Sequence, residues 1–153
     1  MAYVLQFDRT RALELPASEA IAIGNVLCII AASSVTGVTD GAPVFAKADA
    51  DGSGLKRPTH VAVVAQATAG KKVTGARDAD IEGLSPAGST PACGDAVFLN
   101  TTAGGVTKTV PATNGMIAVC VGILLSATRC LFSLGSPPPL GMQTAATSTA
   151  TLA

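Results

Sequence analysis

The chain has 153 residues, of which 13% are charged and 3% are aromatic, and it contains no tryptophan. That length predicts one domain with a hydrophobic core of its own. Ten basic and ten acidic residues cancel to a formal net charge of zero. Because a protein that binds nucleic acid through phosphate contacts normally has a basic excess, we expect no nucleic acid among the partners. So few charges on a monomer's surface also indicate that other chains bury part of it.

The first segment, residues 1–16, predicts either a first strand or an extended N-terminal arm. Tyr3, Leu5 and Phe7 occupy alternate positions, which is the period-two pattern of a strand. Pro16 would break any helix that began in this segment. As a first strand the segment would belong to the sheet of its own domain. As an arm it would pair with a neighbouring chain by strand addition.

Several short strands separated by turns are predicted next. The candidates are residues 25–30, 43–47, 61–66 and 71–77. Residues 17–23 fit either one helical turn or an extended lead into the next strand. His60, at the start of its strand, is interpreted as a surface or capping residue rather than a catalyst.

Three carboxylates alternate in the segment DADIEG, at Asp78, Asp80 and Glu82. In a strand they would share one face. A cation site or a paired acid–base site is one interpretation of that face. We favour a solvated sheet edge, because charges on an edge strand prevent unwanted pairing with other chains.

The most regular stretch covers residues 94–135. Within it Ile117, Val119, Val121 and Ile123 alternate with small residues, which predicts a strand that crosses a packed interior with these four side chains on one face. A looser copy lies at 41–73, where GAPVFAK corresponds to GDAVFLN and HVAVVAQ corresponds to MIAVCVG.

These patterns predict an all-β fold, a compact β-barrel or β-sandwich made of two loosely repeated β units. We place this domain at residues 17–135, after the N-terminal segment 1–16. Residues 136–153, SPPPLGMQTAATSTATLA, form an irregular Pro/Thr/Ala-rich C-terminal tail.

Two windows without charge, residues 20–39 and 109–128, are long enough to be considered as membrane spans. Polar residues, glycine and proline shorten their apolar cores to about ten residues, too few for a spanning helix. We therefore expect a soluble protein with no membrane partner, and the N-terminus lacks the apolar run of a signal peptide.

The chain is poor in the groups that active sites use, with one histidine and one tyrosine. It contains no nucleophile elbow, no Walker loop and no complete dinucleotide fingerprint. We expect no catalytic residue, no cofactor and no metal site, and we do not expect an enzyme. Cys28, Cys120 and Cys130 lie in apolar runs and are predicted to be reduced core residues. Disulfides stay open for a protein that matures in an oxidising compartment.

Residues 24–135 resemble the small all-β capsid decoration proteins, or cement proteins, of tailed bacteriophages. The resemblance rests on GDAVFLN at 94–100, GGVTKT at 104–109, IAVCVGIL at 117–124 and ATRCLFSLG at 127–135. The upstream run VAVVAQATAGKKV, at 61–73, follows the same pattern. The N-terminal segment and the C-terminal tail are additions to that pattern.

The resemblance implies a structural role in the virion. Proteins of this group join the outer surface of the expanded capsid, usually as homotrimers, and clamp adjacent subunits of the major capsid protein. It implies the major capsid protein as partner, the capsid surface as location and assembly in the host cytoplasm.

We expect the contacts with the capsid or with other subunits at the two ends of the chain. The candidate contact residues are Tyr3, Val4, Leu5, Phe7, Arg9, Pro137, Pro138, Leu140 and Met142. Two other functions remain open. One is another virion module, such as a tail-tube or head-completion protein, and the other is a small ligand-binding β-barrel.

Overall fold

The computed structural model describes residues 2–51, 57–113 and 115–134. They form a short 3₁₀ turn at Arg9–Arg11 and eleven strands. The strands are β1 (Tyr3–Phe7), β2 (Leu13–Pro16), β3 (Val26–Ala31), β4 (Pro43–Lys47), β5 (His60–Ala62), β6 (Lys72–Ala76), β7 (Asp78–Glu82), β8 (Ala96–Leu99), β9 (Val106–Thr107), β10 (Cys120–Leu124) and β11 (Cys130–Ser133). The all-β class predicted from the sequence is confirmed.

The strands form two sheets. Strands β1, β7, β11, β10, β8 and β9 form, in that order, a six-stranded sheet, and β2, β6, β5, β3 and β4 form a five-stranded sheet. All strand pairs are antiparallel. The two sheets pack together around a shared core, so the sandwich is the correct one of the two predicted architectures, and no closed barrel forms.

Two segments that lie side by side connect the sheets. Residues 3–16 supply β1 to one sheet and β2 to the other, and residues 72–82 supply β7 and β6. β1 pairs with β7 in the six-stranded sheet, and β2 pairs with β6 in the five-stranded sheet. Residues 3–16 and 72–82 therefore stay antiparallel neighbours where both cross from one sheet to the other. At the crossing the Asp8 N–H donates to the Asp78 carbonyl oxygen at 3.1 Å, and the Arg11 guanidinium lies 3.4 Å from the Asp78 carboxylate.

The main core lies between the sheets and draws on both. Its largest fully buried side chains are Val26, Val61, Ile81, Val97, Leu99, Val121, Leu124 and Phe132. Gly122 lies within this core, and a Cβ atom there would sit 2.5 Å from the Leu131 carbonyl oxygen. That distance is far below van der Waals contact, so only glycine allows β10 and β11 to approach this closely.

A second apolar cluster covers the other face of the five-stranded sheet. It contains Ala17, Ile21, Leu27, Phe45, Ala62 and Val73. We call residues 17–21 the seam, because they join two edges of this sheet. The Ala17 N–H donates to the Lys71 carbonyl oxygen, just before β6, and the Ser18 N–H donates to the Phe45 carbonyl oxygen in β4, both at 2.8 Å. The extended alternative for this segment is therefore confirmed, and no helical turn forms.

The N-terminal segment belongs to the domain. β1 is the edge strand of the six-stranded sheet, where it pairs with β7 from Tyr3 to Phe7. Val4 and Phe7 are partly buried against the main core. The structure therefore supports the first-strand alternative. It corrects the other one, because residues 3–7 do not form an extended arm separate from the domain.

The strand predicted across 117–123 is shorter and changes face. Ile117, Val119 and Val121 are buried as expected, but Ile123 is 50% exposed and Leu124 is fully buried. An irregularity in the pairing of β10 with β8, between Cys120 and Gly122, causes the change. Such a bulge adds one residue to one strand, and so it reverses the inward and outward positions that follow.

The acidic strand β7 is not an edge strand, which corrects the sequence-based interpretation. It lies between β1 and β11 in the six-stranded sheet. The predicted alternation holds, because Ala79 and Ile81 are buried whereas Asp78, Asp80 and Glu82 are half-buried on the outer face.

His60 and Cys120 are also corrected. His60, expected at the surface, is 3% exposed, and Cys120, expected in the core, is exposed. Cys28 and Cys130 are buried as predicted, and burial raises the pKa of the Cys130 thiol to about 12. The four cysteines form no disulfide in the described part of the chain.

The two repeated units lie in different sheets. Residues 41–73 supply β4 and β5 to the five-stranded sheet, and residues 94–135 supply β8 to β11 to the six-stranded sheet. β8 pairs directly with β10, whereas β3 separates β4 from β5. Within the described residues, no helix is long and apolar enough to cross a bilayer.

The change of face in β10 is testable with two substitutions. Leu124→Ala should lower the free energy of unfolding by about 2–5 kcal/mol, because it leaves a cavity in the core. Ile123→Ala, one position earlier on the outer face, should cost roughly 0.5 kcal/mol or less. Urea denaturation of both variants measures the difference. A larger loss for Ile123→Ala than for Leu124→Ala would mean that the strand is regular and has no bulge.

Candidate functional site

The open side of β1 distinguishes it from the other sheet edges. β1 pairs with β7 on one side, and no described segment pairs with it on the other. The opposite edge strand, β9, is bridged by Ala87. In the five-stranded sheet Ala17 follows β2 directly and bridges to Phe45 of β4. An uncovered edge strand presents backbone N–H and C=O groups that another strand can pair with.

The side chains of β1 do not protect this edge with charge. Tyr3 and Leu5 are 53% and 47% exposed, and the strand sequence YVLQF contains no charged residue and no proline. The pairing with β7 is irregular between Val4 and Gln6, which indicates a bulge at Leu5. This bulge is the one feature of β1 that opposes pairing of its open edge with a further strand. The strand therefore offers an apolar surface together with an open backbone.

A groove of about 560 Å³ lies beside the end of β1. Its lining residues are Gln6, Phe7, Asp8, Arg9, Asp78, Ala79, Asp80 and Leu131. The Arg9 guanidinium carbon lies 5.0 Å from the centre of the Phe7 ring, a distance at which the cation is attracted to the face of the ring. We call the open edge of β1 and this groove together the β1 surface.

The turn after β1 fixes the end of the groove. The Asp8 carboxylate accepts hydrogen bonds from the Thr10 N–H at 3.0 Å and from the Thr10 hydroxyl at 2.7 Å. These bonds lower the pKa of Asp8 and cap the 3₁₀ turn that begins at Arg9. The capped turn holds Arg9 over Phe7.

The carboxylates on the outer face of β7 all have partners. The Arg129 guanidinium donates two hydrogen bonds to Asp80, at 2.8 and 2.5 Å, and this contact lowers the pKa of Asp80. The Thr128 hydroxyl donates to Glu82 at 2.5 Å, and Arg11 pairs with Asp78. Because Arg129 keeps Asp80 ionised, Asp80 is not suited to be the protonated member of a general acid–base pair.

The apolar part of the same outer face lies across β10 and β11. Ile123 and Leu131 are cross-strand neighbours and are 50% and 46% exposed. Leu131 is in turn paired with Asp80, and Asp80 with Gln6 of β1. One cross-strand row therefore runs over the outer face of the sheet. It begins at Gln6 on the open edge, passes Asp80, whose charge Arg129 neutralises, and ends at the exposed side chains of Leu131 and Ile123.

Of the five contact residues predicted at the N-terminal end, the structure places four on the β1 surface and turns the fifth inward. Tyr3 and Leu5 are exposed, Phe7 and Arg9 line the groove, and Val4 faces the core. The four predicted in the tail, Pro137, Pro138, Leu140 and Met142, lie outside the described residues.

The acidic strand and Leu131 were not assigned to this surface by sequence reasoning. The alternation in DADIE indicated which residues share a face, but the neighbours of β7 follow from strand order, which a single sequence does not carry. Among the residues that the structure describes, no cluster of three or more His, Cys, Asp or Glu side chains suits a metal ion.

Comparisons with known proteins identify no relative. No protein-family model matches the chain, and neither the curated proteins nor the solved structures contain a significant match.

The Asp80–Arg129 pair is expected to stabilise the outer face. Asp80→Asn should lower the free energy of unfolding at pH 7 by about 1 kcal/mol, because it removes a bidentate, charge-assisted contact that is partly exposed to solvent. The pKa of Asp80 is lower in the folded state than its ordinary value of 3.8. The contribution is therefore complete above that ordinary value and is lost as the pH falls through the lowered one. Urea denaturation at pH 7 and at roughly pH 2 measures both effects.

Asp78→Asn on the same strand is the matched control. The Asp78 and Arg11 side chains are 38% and 41% exposed and 3.4 Å apart, so this variant should lose less than about 0.5 kcal/mol. Equal losses for the two variants at pH 7, or a loss for Asp80→Asn that does not decrease as the pH falls below the ordinary value of 3.8, would contradict the assigned role of the pair.

Proposed function

We propose that this protein is a structural protein of a bacteriophage virion, which decorates the outer surface of the capsid and stabilises it by clamping adjacent subunits of the major capsid protein. The sequence resemblance of residues 24–135 to capsid decoration proteins suggests this role. The observation that supports it most is the β1 surface. No segment that the structure describes pairs with the open side of this uncharged edge strand, whereas the other sheet edges are bridged by other segments of the chain.

An open edge strand suits attachment to a larger assembly. A strand from a capsid subunit that pairs with β1 would form backbone hydrogen bonds, which make little demand on side-chain identity. Tyr3 and Leu5 would lose their exposed apolar area to the same partner, at about 25 cal/mol per Å². Asp80 beside the contact is already neutralised by Arg129, which lowers the cost of burying that carboxylate against a partner.

The clamp needs more than one such contact. A homotrimer would present three β1 surfaces at once, and each bound surface would raise the effective concentration of the others. Individually weak strand contacts would then hold a capsid firmly against internal pressure. The function requires no catalysis, cofactor or metal ion.

The direct test uses expanded capsids of the phage that encodes the chain, stripped of this protein. Added purified protein should co-sediment with the capsids and raise the temperature at which they break open. Capsids that break at the same temperature with and without bound protein would contradict the proposed function.

A charge placed on the edge tests the proposed surface separately. Leu5→Lys should weaken capsid binding at least about tenfold, because a lysine on an edge strand opposes pairing with a further strand. The control is Val64→Lys, which introduces the same charge at a position that is equally exposed, 47%, beyond β5. Both variants should keep the melting temperature of the parent. Equal binding by the two variants would remove β1 from the interface and leave the function to be tested by capsid stability alone.

A further inference from the structure

His60 is a buried titratable side chain that the proposed function does not use. It is 3% exposed, and its imidazole lies edge-on to Phe45 with ring centres 5.2 Å apart. Its Nδ1 atom is 2.8 Å from the Thr59 hydroxyl oxygen. A Cβ atom on Gly75 would sit 2.9 Å from the Cβ atom of His60 and 3.0 Å from the Phe45 ring, so β6 packs closely against both side chains. The imidazole therefore has little room to reach solvent without a movement of its neighbours.

The ring lies in the second cluster, which holds the seam in place. Phe45 packs with Ala17 and Ile21 in that cluster, and its carbonyl oxygen accepts the Ser18 N–H. Two further hydrogen bonds tie the seam, since Ile21 and Gln66 exchange N–H to carbonyl contacts at 2.8 Å. Phe45 thus connects His60 to the seam, so a movement of the His60 ring would be transmitted to the seam through that side chain.

Among the residues that the structure describes, the charged groups around His60 do not compensate a charge on its ring. Arg77, which follows β6, carries the same charge as a protonated imidazole and acts on it electrostatically. Lys47 of β4 lies in the same cross-strand row, beyond Leu27 of β3. Strand β3 carries no charged residue, and Lys72 of β6 pairs with Glu14. The seam itself contributes Glu19, whose carboxylate accepts the Lys47 N–H at 3.0 Å.

We propose that His60 is an acid-sensitive latch, whose protonation releases the seam from the edges of the five-stranded sheet. A charged imidazole in this cluster would lose its hydration and face Arg77, so the opened form would be favoured. The six-stranded sheet, including β1, would keep its structure while the seam opens. Acid would therefore expose the edge of β4 without unfolding the whole domain.

The sign and size of the effect follow from proton linkage. Burial, and then Arg77, lower the pKa of His60 from 6.5 to about 4 in the closed form. With the ordinary pKa restored in the opened form, the opened form binds more protons between these two values, so opening becomes easier as the pH falls from 6.5 towards 4. Between pH 7 and pH 5 the opening equilibrium should increase about twentyfold.

Amide hydrogen exchange measures this opening residue by residue. The protection factors of the Ser18 and Ile21 amides, corrected for intrinsic exchange rates, should fall about twentyfold between pH 7 and pH 5. Those of Val121 and Phe132, in the six-stranded sheet, should change less than about twofold. Unchanged protection of the seam, or an equal fall in both sheets, would overturn the latch.

Three variants assign the effect to His60. His60→Gln should abolish the fall in seam protection. Should that variant fail to fold, Arg77→Gln serves instead, because removing the like charge raises the pKa of His60 in the closed form. Since burial is the larger cause of the lowered pKa, the fall should shrink by about twofold at most. Glu19→Gln should retain the twentyfold fall, since the latch does not depend on that carboxylate. A fall that survives His60→Gln or Arg77→Gln unchanged, or that disappears in Glu19→Gln, would assign the acid response elsewhere.

Discussion

The antiparallel pairing of residues 3–16 with residues 72–82 is the interaction on which the rest of the structure depends. It supplies β1 and β7 to one sheet and β2 and β6 to the other, so the same pair of segments fixes how the sheets face each other. The main core fills the space that this crossing defines. The pairing also places β1 outermost, because β7 has β11 on its other side. The open edge of the domain is thus a consequence of the connection between the sheets.

Much of the fold could be predicted from the sequence because local patterns carry it. The segment at 43–47 matches β4, and the alternation in DADIE placed its carboxylates on one face. Strand order could not be predicted in the same way, so β7 was expected at an edge and lies inside a sheet. The prediction that Ile123 faces the core was wrong, because one bulge reverses a period-two pattern. Periodicity alone does not reveal where a bulge lies.

The candidate site was predicted only in part, because local patterns reveal single strands but not their neighbours in the sheet. The contact residues proposed near the N-terminus are neighbours in the structure, because Tyr3–Phe7 form β1 and Arg9 begins the turn after it. Their faces were not predicted, because the bulge at Leu5 breaks the alternation and packs Phe7 against the core. The groove beside them depends on Asp80 and Leu131, which come from strands about 70 to 130 residues further along the chain and meet β1 only through sheet order. His60 was misplaced because its burial comes from Phe45 of β4 and from the close approach of Gly75 in β6. Burial by neighbouring strands is a tertiary effect, and local sequence does not encode it.

Electron cryomicroscopy of the native assembly that contains this protein tests the central claim most directly. We expect to see the chain on the outer surface of a capsid, with the edge of β1 paired to a strand of a neighbouring subunit and with Tyr3 and Leu5 covered. A chain found in a tail tube or a head-completion ring would contradict the proposed decoration of the capsid. A chain on the capsid with β1 facing solvent would contradict the proposed mode of attachment.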